Sequence, residues 1–369
     1  MPAGQAATAR RLAPMAFALA CTSLVLCGVG CADPEGVSPR ERSRLSVIRD
    51  ERPGTVRIEG IGPIRGFTRG RDNTFVHCLE LILDAAGREI GYDELMGISG
   101  MAFRVQFRVD RWDVGNPDPL VGEDCLPALF EGIGWEYEVW IVRRDEFSEA
   151  DALRRAIEQS ISLNRLPVLA ANIMPPEDWG IITGYRRDRT WLCRAYNPRA
   201  MRQDCAAKGW PTAVVLLNRQ LNRPDPKLAH KASIRRAIEL FDKRSARTHA
   251  LGPKAFDEWC HSLRSARDAG YVHANFWTYV NLIDSRSAAV RYLRSIAKEF
   301  GSRATHVNAA ADEYDKEVRA LLDGLKDVAT VERYPDSLPP AGMRDKQINS
   351  LKKAKAFEQE AITSLRKAV

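Results

Sequence analysis

The sequence predicts an α+β domain over residues 55–222 followed by an all-α domain over residues 223–369, behind an export signal (1–30) and a tether (31–54). Three observations carry that division. Residues 74–86 place Phe75, Cys78, Leu79, Ile82, Leu83 and Ala86 on one helical face, with Asn73 or Thr74 to cap the helix and Gly87 to stop it. Residues 101–110 (MAFRVQFRVD) alternate, with Phe103, Val105, Phe107 and Val109 on one side and Arg104, Gln106 and Arg108 on the other, as a half-buried strand does. Past residues 222–226 (NRPDP) only helical spacing remains.

The elements follow in order. Residues 135–142 (WEYEVWIV) form a strand and 149–162 an amphipathic helix. Strands are expected at 167–173, 179–185, 190–196 and 212–217, with Arg186-Arg187-Asp188-Arg189 as the turn between the second and third of these. Helices are expected at 227–248, 253–268, 274–300, 304–328 and 345–368, separated at Gly252, Gly270, Gly301 and 335–342.

Composition bounds the function. At 45% hydrophobic and 28% charged residues, with a mean hydropathy of -0.32, the 369-residue chain holds enough apolar matter for a core and too little for a polytopic membrane protein. A net charge of +7 without a basic binding motif argues against nucleic acid. Arg10 and Arg11 precede an apolar run, and Gly28-Val29-Gly30 leads into Cys31. That pattern predicts an exported lipoprotein, acylated on Cys31 and held on a membrane in the periplasm or at the cell surface. An ordinary cleaved signal or an uncleaved anchor remains open. Residues 32–54 are charged and broken by Pro, as a tether is.

Of eight cysteines, Cys21 and Cys27 fall in the signal and Cys31 takes lipid, leaving Cys78, Cys125, Cys193, Cys205 and Cys260. An oxidising compartment favours pairing, and an odd number leaves a free thiol. Cys193 and Cys205 flank a turn-rich segment and could close a short loop. Cys260-His261 and His77-Cys78 lack metal-site spacing, so no metal or other cofactor is expected.

Cys78 opens the chemical question, because a thiol in the first turn of a helix meets free N–H groups and the positive dipole end, which stabilise a thiolate. Residues 74–107 (TFVHCLELILDAAGREIGYDELMGISGMAFRVQF) with 166–197 (LPVLAANIMPPEDWGIITGYRRDRTWLCRAYN) resemble the C39-peptidase-like group that includes the N-terminal domain of butirosin biosynthesis protein H. Residues 274–293 resemble the segment that follows such domains. The resemblance implies a papain-like fold that cleaves peptides or transfers an acyl group through a cysteine thioester. By that resemblance Cys78 matches the nucleophile and Asn197 the residue that orients the histidine. The departure is at the histidine itself: counting back from Thr183-Gly184-Tyr185 puts Asp178 there, followed by Trp179.

A carboxylate beside a thiolate raises the cysteine pKa and carries no proton for a leaving group near neutral pH. His77 is the nearest substitute base, yet neighbouring helical residues point about 100° apart; a histidine of the helical domain is the other. Asn73 is the upstream candidate for an oxyanion donor, and Trp179 and Tyr185 sit on strands that would border the cleft. The sequence therefore predicts a degenerate cysteine enzyme that binds a peptide-like or acyl-bearing ligand around Cys78, Trp179 and Asn197. An active thiol acyltransferase or peptidase and a purely structural envelope lipoprotein are the alternatives. An open Cys78 beside an imidazole fits the enzyme, an open Cys78 without one fits the binding module, and a buried Cys78 fits neither.

Overall fold

A computed structural model describes residues 45–49, 54–142, 149–222 and 224–369. The export signal and Cys31 lie outside the described residues. The chain begins with β1 (Ser46–Arg49) and β2 (Thr55–Glu59), then α1 (Thr74–Ala85), α2 (Tyr92–Ser99), β3 (Gln106–Arg108), α3 (Leu126–Ile133), β4 (Trp135–Ile141) and α4 (Ala150–Ser162). Next come β5 (Val168–Ala171), β6 (Trp179–Arg186), β7 (Trp191–Arg194), β8 (Cys205–Ala207) and β9 (Ala213–Gln220). The second half holds α5 (Pro226–Asp242), a hairpin of β10 (Ser245–Ala246) and β11 (His249–Leu251), α6 (Gly252–Ser265), α7 (Val272–Ile296), α8 (Ala304–Gly324) and α9 (Ala341–Ala368).

The main sheet has eight antiparallel strands, in the order β1-β2-β6-β5-β9-β4 with β7 on β6 and β8 on β7. Its central strands read as unbroken apolar runs because both faces are covered. Leu169, Ile181, Val215 and Leu217 face α1, α2 and α3; Val168, Ala170, Ile182, Val214 and Leu216 face Leu153, Ile157 and Ile161 of α4. The fold is mixed α and β, as expected.

No boundary between cores falls at residues 222–226. Ile82, Leu95 and Ile133 share one apolar cluster with Ala288, Tyr292, Leu293, Tyr314 and Leu365, and the described residues form one compact unit. The second half is not purely helical either: β11 pairs with β3 through His249↔Arg108, Ala250↔Phe107 and Leu251↔Gln106. A buried Arg286 on α7 joins Glu317 of α8 at 3.2 Å and Glu358 of α9 at 2.8 Å, and donates to the Ala102 carbonyl at 2.7 Å.

Two further expectations change. The segment assigned to the tether contains β1, which pairs with β2, and Leu45 and Val47 pack on the core. The strand expected over 101–110 shrinks to Gln106–Arg108. Gly100, at φ 80, ends α2, and the N–H groups of Phe103 and Arg104 turn back to its carbonyl. The polar side of that segment is not exposed: Arg104 reaches the carbonyls of Glu123, Pro117 and Asp118, and Gln106 those of Asn116 and Val121. Among the described residues no helix is long and apolar enough to cross a membrane.

Candidate functional site

The site is built around the N-terminus of α1. Asn73 caps the helix: its Oδ1 accepts the Val76 N–H at 3.1 Å, which holds down one of the free donors of the first turn. Its own N–H donates to the Tyr92 hydroxyl at 3.0 Å, and Tyr92 passes a hydrogen bond on to Asp284 Oδ2 at 2.5 Å. The Asp72 N–H reaches the same Oδ2 at 3.1 Å, and Asp72 Oδ1 accepts the Thr68 N–H at 2.6 Å. On the sheet side, Asp178 Oδ1 accepts from the Thr74 hydroxyl and from the Trp179 N–H, while the Trp179 indole donates to Asp118 Oδ2 at 2.8 Å.

Four carboxyl groups thus surround one helix tip. Burial, reinforced by Asp284, pushes Asp72 up to about 7; burial, reinforced by Asp118, does the same to Asp178. Burial also raises Asp118 and Asp284 above the usual carboxylate range. Asp178 keeps a rim of solvent contact although protein surrounds most of it. Among the described residues, two oxygens around this helix tip are buried without a hydrogen-bond partner, Tyr196 Oη and Asp284 Oδ1.

Cys78 is fully buried, and its thiol donates to the Trp179 carbonyl at 3.7 Å. Because α1 begins at Thr74, Cys78 lies in the second turn, past the free N–H groups on which the activation argument rested. Burial drives its pKa well above the ordinary value and Asp178 drives it further. The thiol stays protonated.

A strap of residues 60–72 closes over this end of α1. The Ile64 N–H donates to the Met201 carbonyl at 2.8 Å, Arg194 Nη1 donates to the Gly62 carbonyl at 3.0 Å, and Phe67 stacks on Tyr196 at 4.7 Å and meets Trp277 edge-on at 4.9 Å. The same strap consumes His77, whose Nε2 accepts the Arg65 N–H at 3.0 Å while Nδ1–H donates to Glu80 Oε2 at 2.9 Å. Burial lowers the His77 pKa, leaving a neutral imidazole with both nitrogens engaged. Burial alone would raise Glu80, but the bonds from His77 and Arg71 hold it down at about 2. Nor does the helical half supply a base: His230 Nδ1 bonds Glu299 at 2.6 Å, and among the described residues no histidine is hydrogen-bonded to Cys78.

The remaining expected residues disperse. Asn197 braces its own turn, with Nδ2 donating to the Pro175 carbonyl at 3.0 Å and Oδ1 accepting the Arg199 N–H at 3.1 Å. Trp179 is buried against Phe75, so it forms the floor of the core instead of the wall of a cleft. Tyr185 packs with the α4 side of the sheet: a bulge between Ile182 and Gly184 reverses the alternation, so Tyr185 faces away from Trp179. Asn73 is spent on capping, although its amide also reaches the Pro117 carbonyl at 3.3 Å. The cavity beside it, about 40 Å³ and lined by Asn73, Gln106, Asn116, Thr278, Asn281 and Ser285, suits water and is too small for a peptide or an acyl chain.

Asp118, Asp284, Tyr92 and Tyr196 were not singled out by sequence reasoning. Asp284 carried a signal, a carboxylate on the buried stripe of α7; the other three look ordinary until the chain folds. Neither the protein-family models nor the curated proteins searched contain a match to this chain.

Proposed function

We propose that this chain is an exported lipoprotein whose body is a catalytically retired papain-like scaffold of the C39/butirosin-H-like kind, serving as a structural module of the envelope. The observation that supports the loss of catalysis is the sealed Cys78 thiol, held by a backbone carbonyl beside Asp178 with no imidazole hydrogen-bonded to it among the described residues. A nucleophile needs a thiolate, a base and access for the substrate carbonyl, and all three are wanting at Cys78.

The test is alkylation of the folded protein with iodoacetamide across pH, with each cysteine scored by peptide mass. The expected result is that Cys78 reacts only on unfolding. Modification of folded protein with a midpoint below about 8.5, the value of an ordinary thiol, would restore the enzyme reading. Lipid attachment is checked separately by acyl labelling in cells, which Cys31→Ser should abolish.

One observation favours a second reading, a binding module. Tyr196 Oη and Asp284 Oδ1 lie unpartnered at the helix tip covered by the strap, and buried polar groups of that kind find partners when a polar ligand is present. The buried thiol excludes the open cleft around Cys78 that the sequence led us to expect, so a peptide-like or acyl-bearing ligand would have to take a different route, displacing Phe67 from Tyr196 and Trp277. Hydrogen exchange of residues 60–72 with and without a panel of acylated peptides tests it; protection on binding is the expected result, and unchanged exchange across the panel counts against it.

A further inference from the structure

The paired strands β7 and β8 set Cys193 directly opposite Cys205 in an antiparallel register. Residues opposed in this way have Cα atoms about 4.5 or 5.5 Å apart, both inside the range that a disulfide spans. The side chains share the α4 side of the sheet, and Cys193 Sγ already approaches the Cys205 carbonyl at 3.4 Å. Cys193 is buried and Cys205 is partly exposed, so one thiol is open to an oxidant and its neighbour is placed to resolve the adduct.

We infer that Cys193 and Cys205 form a cross-strand disulfide that braces the loop beneath the strap. The segment between them carries the groups that hold residues 60–72 in place. Arg194 donates to the Gly62 carbonyl and is itself fixed by Asp204 at 3.1 Å; Met201 accepts from Ile64; Tyr196 stacks on Phe67. Joining the two ends of this loop limits its excursions, and with them those of the strap that lies against His77 and Leu81 of α1. The other described cysteines do not compete, since Cys78, Cys125 and Cys260 are each buried in other clusters.

The oxidant is a disulfide compound, and glutathione disulfide serves as the probe. The Cys205 thiolate attacks one glutathione sulfur, breaking that S–S bond and releasing one glutathione thiol. The Cys193 sulfur, losing its proton to solvent, then attacks Cys205 Sγ and releases the second glutathione. One protein S–S bond forms, one glutathione S–S bond breaks, and two glutathione thiols result.

The experiment uses the full chain in detergent, equilibrated with glutathione disulfide, quenched with alkylating agent and digested with trypsin without reduction. Cleavage after Arg189, Arg194, Arg202 and Lys208 puts the two cysteines on separate peptides, TWLCR and QDCAAK. The expected result is one linked species of both peptides, lost on reduction. Recovery of the two peptides separately, either alkylated or with glutathione on Cys205 alone, would overturn the inference. The bracing is read by hydrogen exchange at Ile64, expected to slow several-fold in oxidised relative to reduced protein; equal rates would overturn it. Both readouts use the natural sequence, so neither depends on a variant folding, and neither depends on whether Cys78 is active.

Discussion

The thiol of Cys78 points to the backbone carbonyl of Trp179, 3.7 Å away, at the head of β6. The strand therefore contributes its main chain to the cysteine, and its side chain at the preceding residue is Asp178, which bonds Thr74 of the same helix. The contact ties α1 to β6 as a packing joint.

As a packing joint, Cys78 is worth stability. Cys78→Ala should cost about 1–2 kcal/mol from the lost sulfur contacts and the small void left behind, seen as a lower urea midpoint with an unchanged slope. An unchanged midpoint would show that the thiol is not packed as described.

The acid cluster makes stability depend on pH in a definite direction. An unfolded aspartate titrates near 3.9, whereas Asp178 and Asp72 are raised to about 7 when folded. The folded state holds these protons more tightly, so their contribution is full below about 4 and is lost as pH rises through 7. Asp178→Asn removes one of the two and should flatten the decline, making the variant more stable than the natural protein above pH 7 by roughly 1–2 kcal/mol after allowing for the solvent contact of Asp178. Thermal unfolding between pH 4 and 8 checks this; parallel curves for the two proteins would contradict it.

Arg286 is the sole cation facing Glu317 and Glu358 among the described side chains bonded to them. Arg286→Met should destabilise the protein by about 3–5 kcal/mol, because it leaves two buried carboxyls without their partner. Replacing all three with apolar residues of similar volume should cost much less. Chemical denaturation of the two variants separates a charge effect from a packing effect.

Gly97 of α2 packs so closely on Tyr292 of α7 that an added Cβ would lie 2.3 Å from the ring. Gly97→Ala should destabilise by about 1–3 kcal/mol through overpacking, despite the better helix propensity of Ala. A stabilised variant would show that the two halves of the chain are not pressed together at this point.

The locally encoded parts of this structure were legible. The cap at Asn73, the apolar stripe of α1, the strand β4 and the amphipathic α4 follow from spacing within a few residues, and the helices of the second half follow from theirs. What failed depended on distant partners. Arg104 and Gln106 read as solvent-facing because the loop carbonyls they hold lie on a segment with no periodic pattern. His77 read as a spare base because the Arg65 N–H that occupies it arrives from a loop. Cys78 read as exposed because helix position was used as a proxy for access: the start of α1 at Thr74 was legible, but Cys78 is its fifth residue and so already in the second turn, and the packing that buries it does not appear in the pattern of apolar residues. The break at residues 222–226 marked a change of secondary structure, which was mistaken for a change of core.

The pairing of β3 with β11 bears on how the molecule must be made. When the ribosome has finished the sheet strands, Phe107 still lacks the wall that Ala250, Phe256 and Trp259 later supply. A nascent chain therefore carries an unfinished edge until its last third arrives, so a premature stop before the hairpin leaves a sticky fragment with Phe107 uncovered.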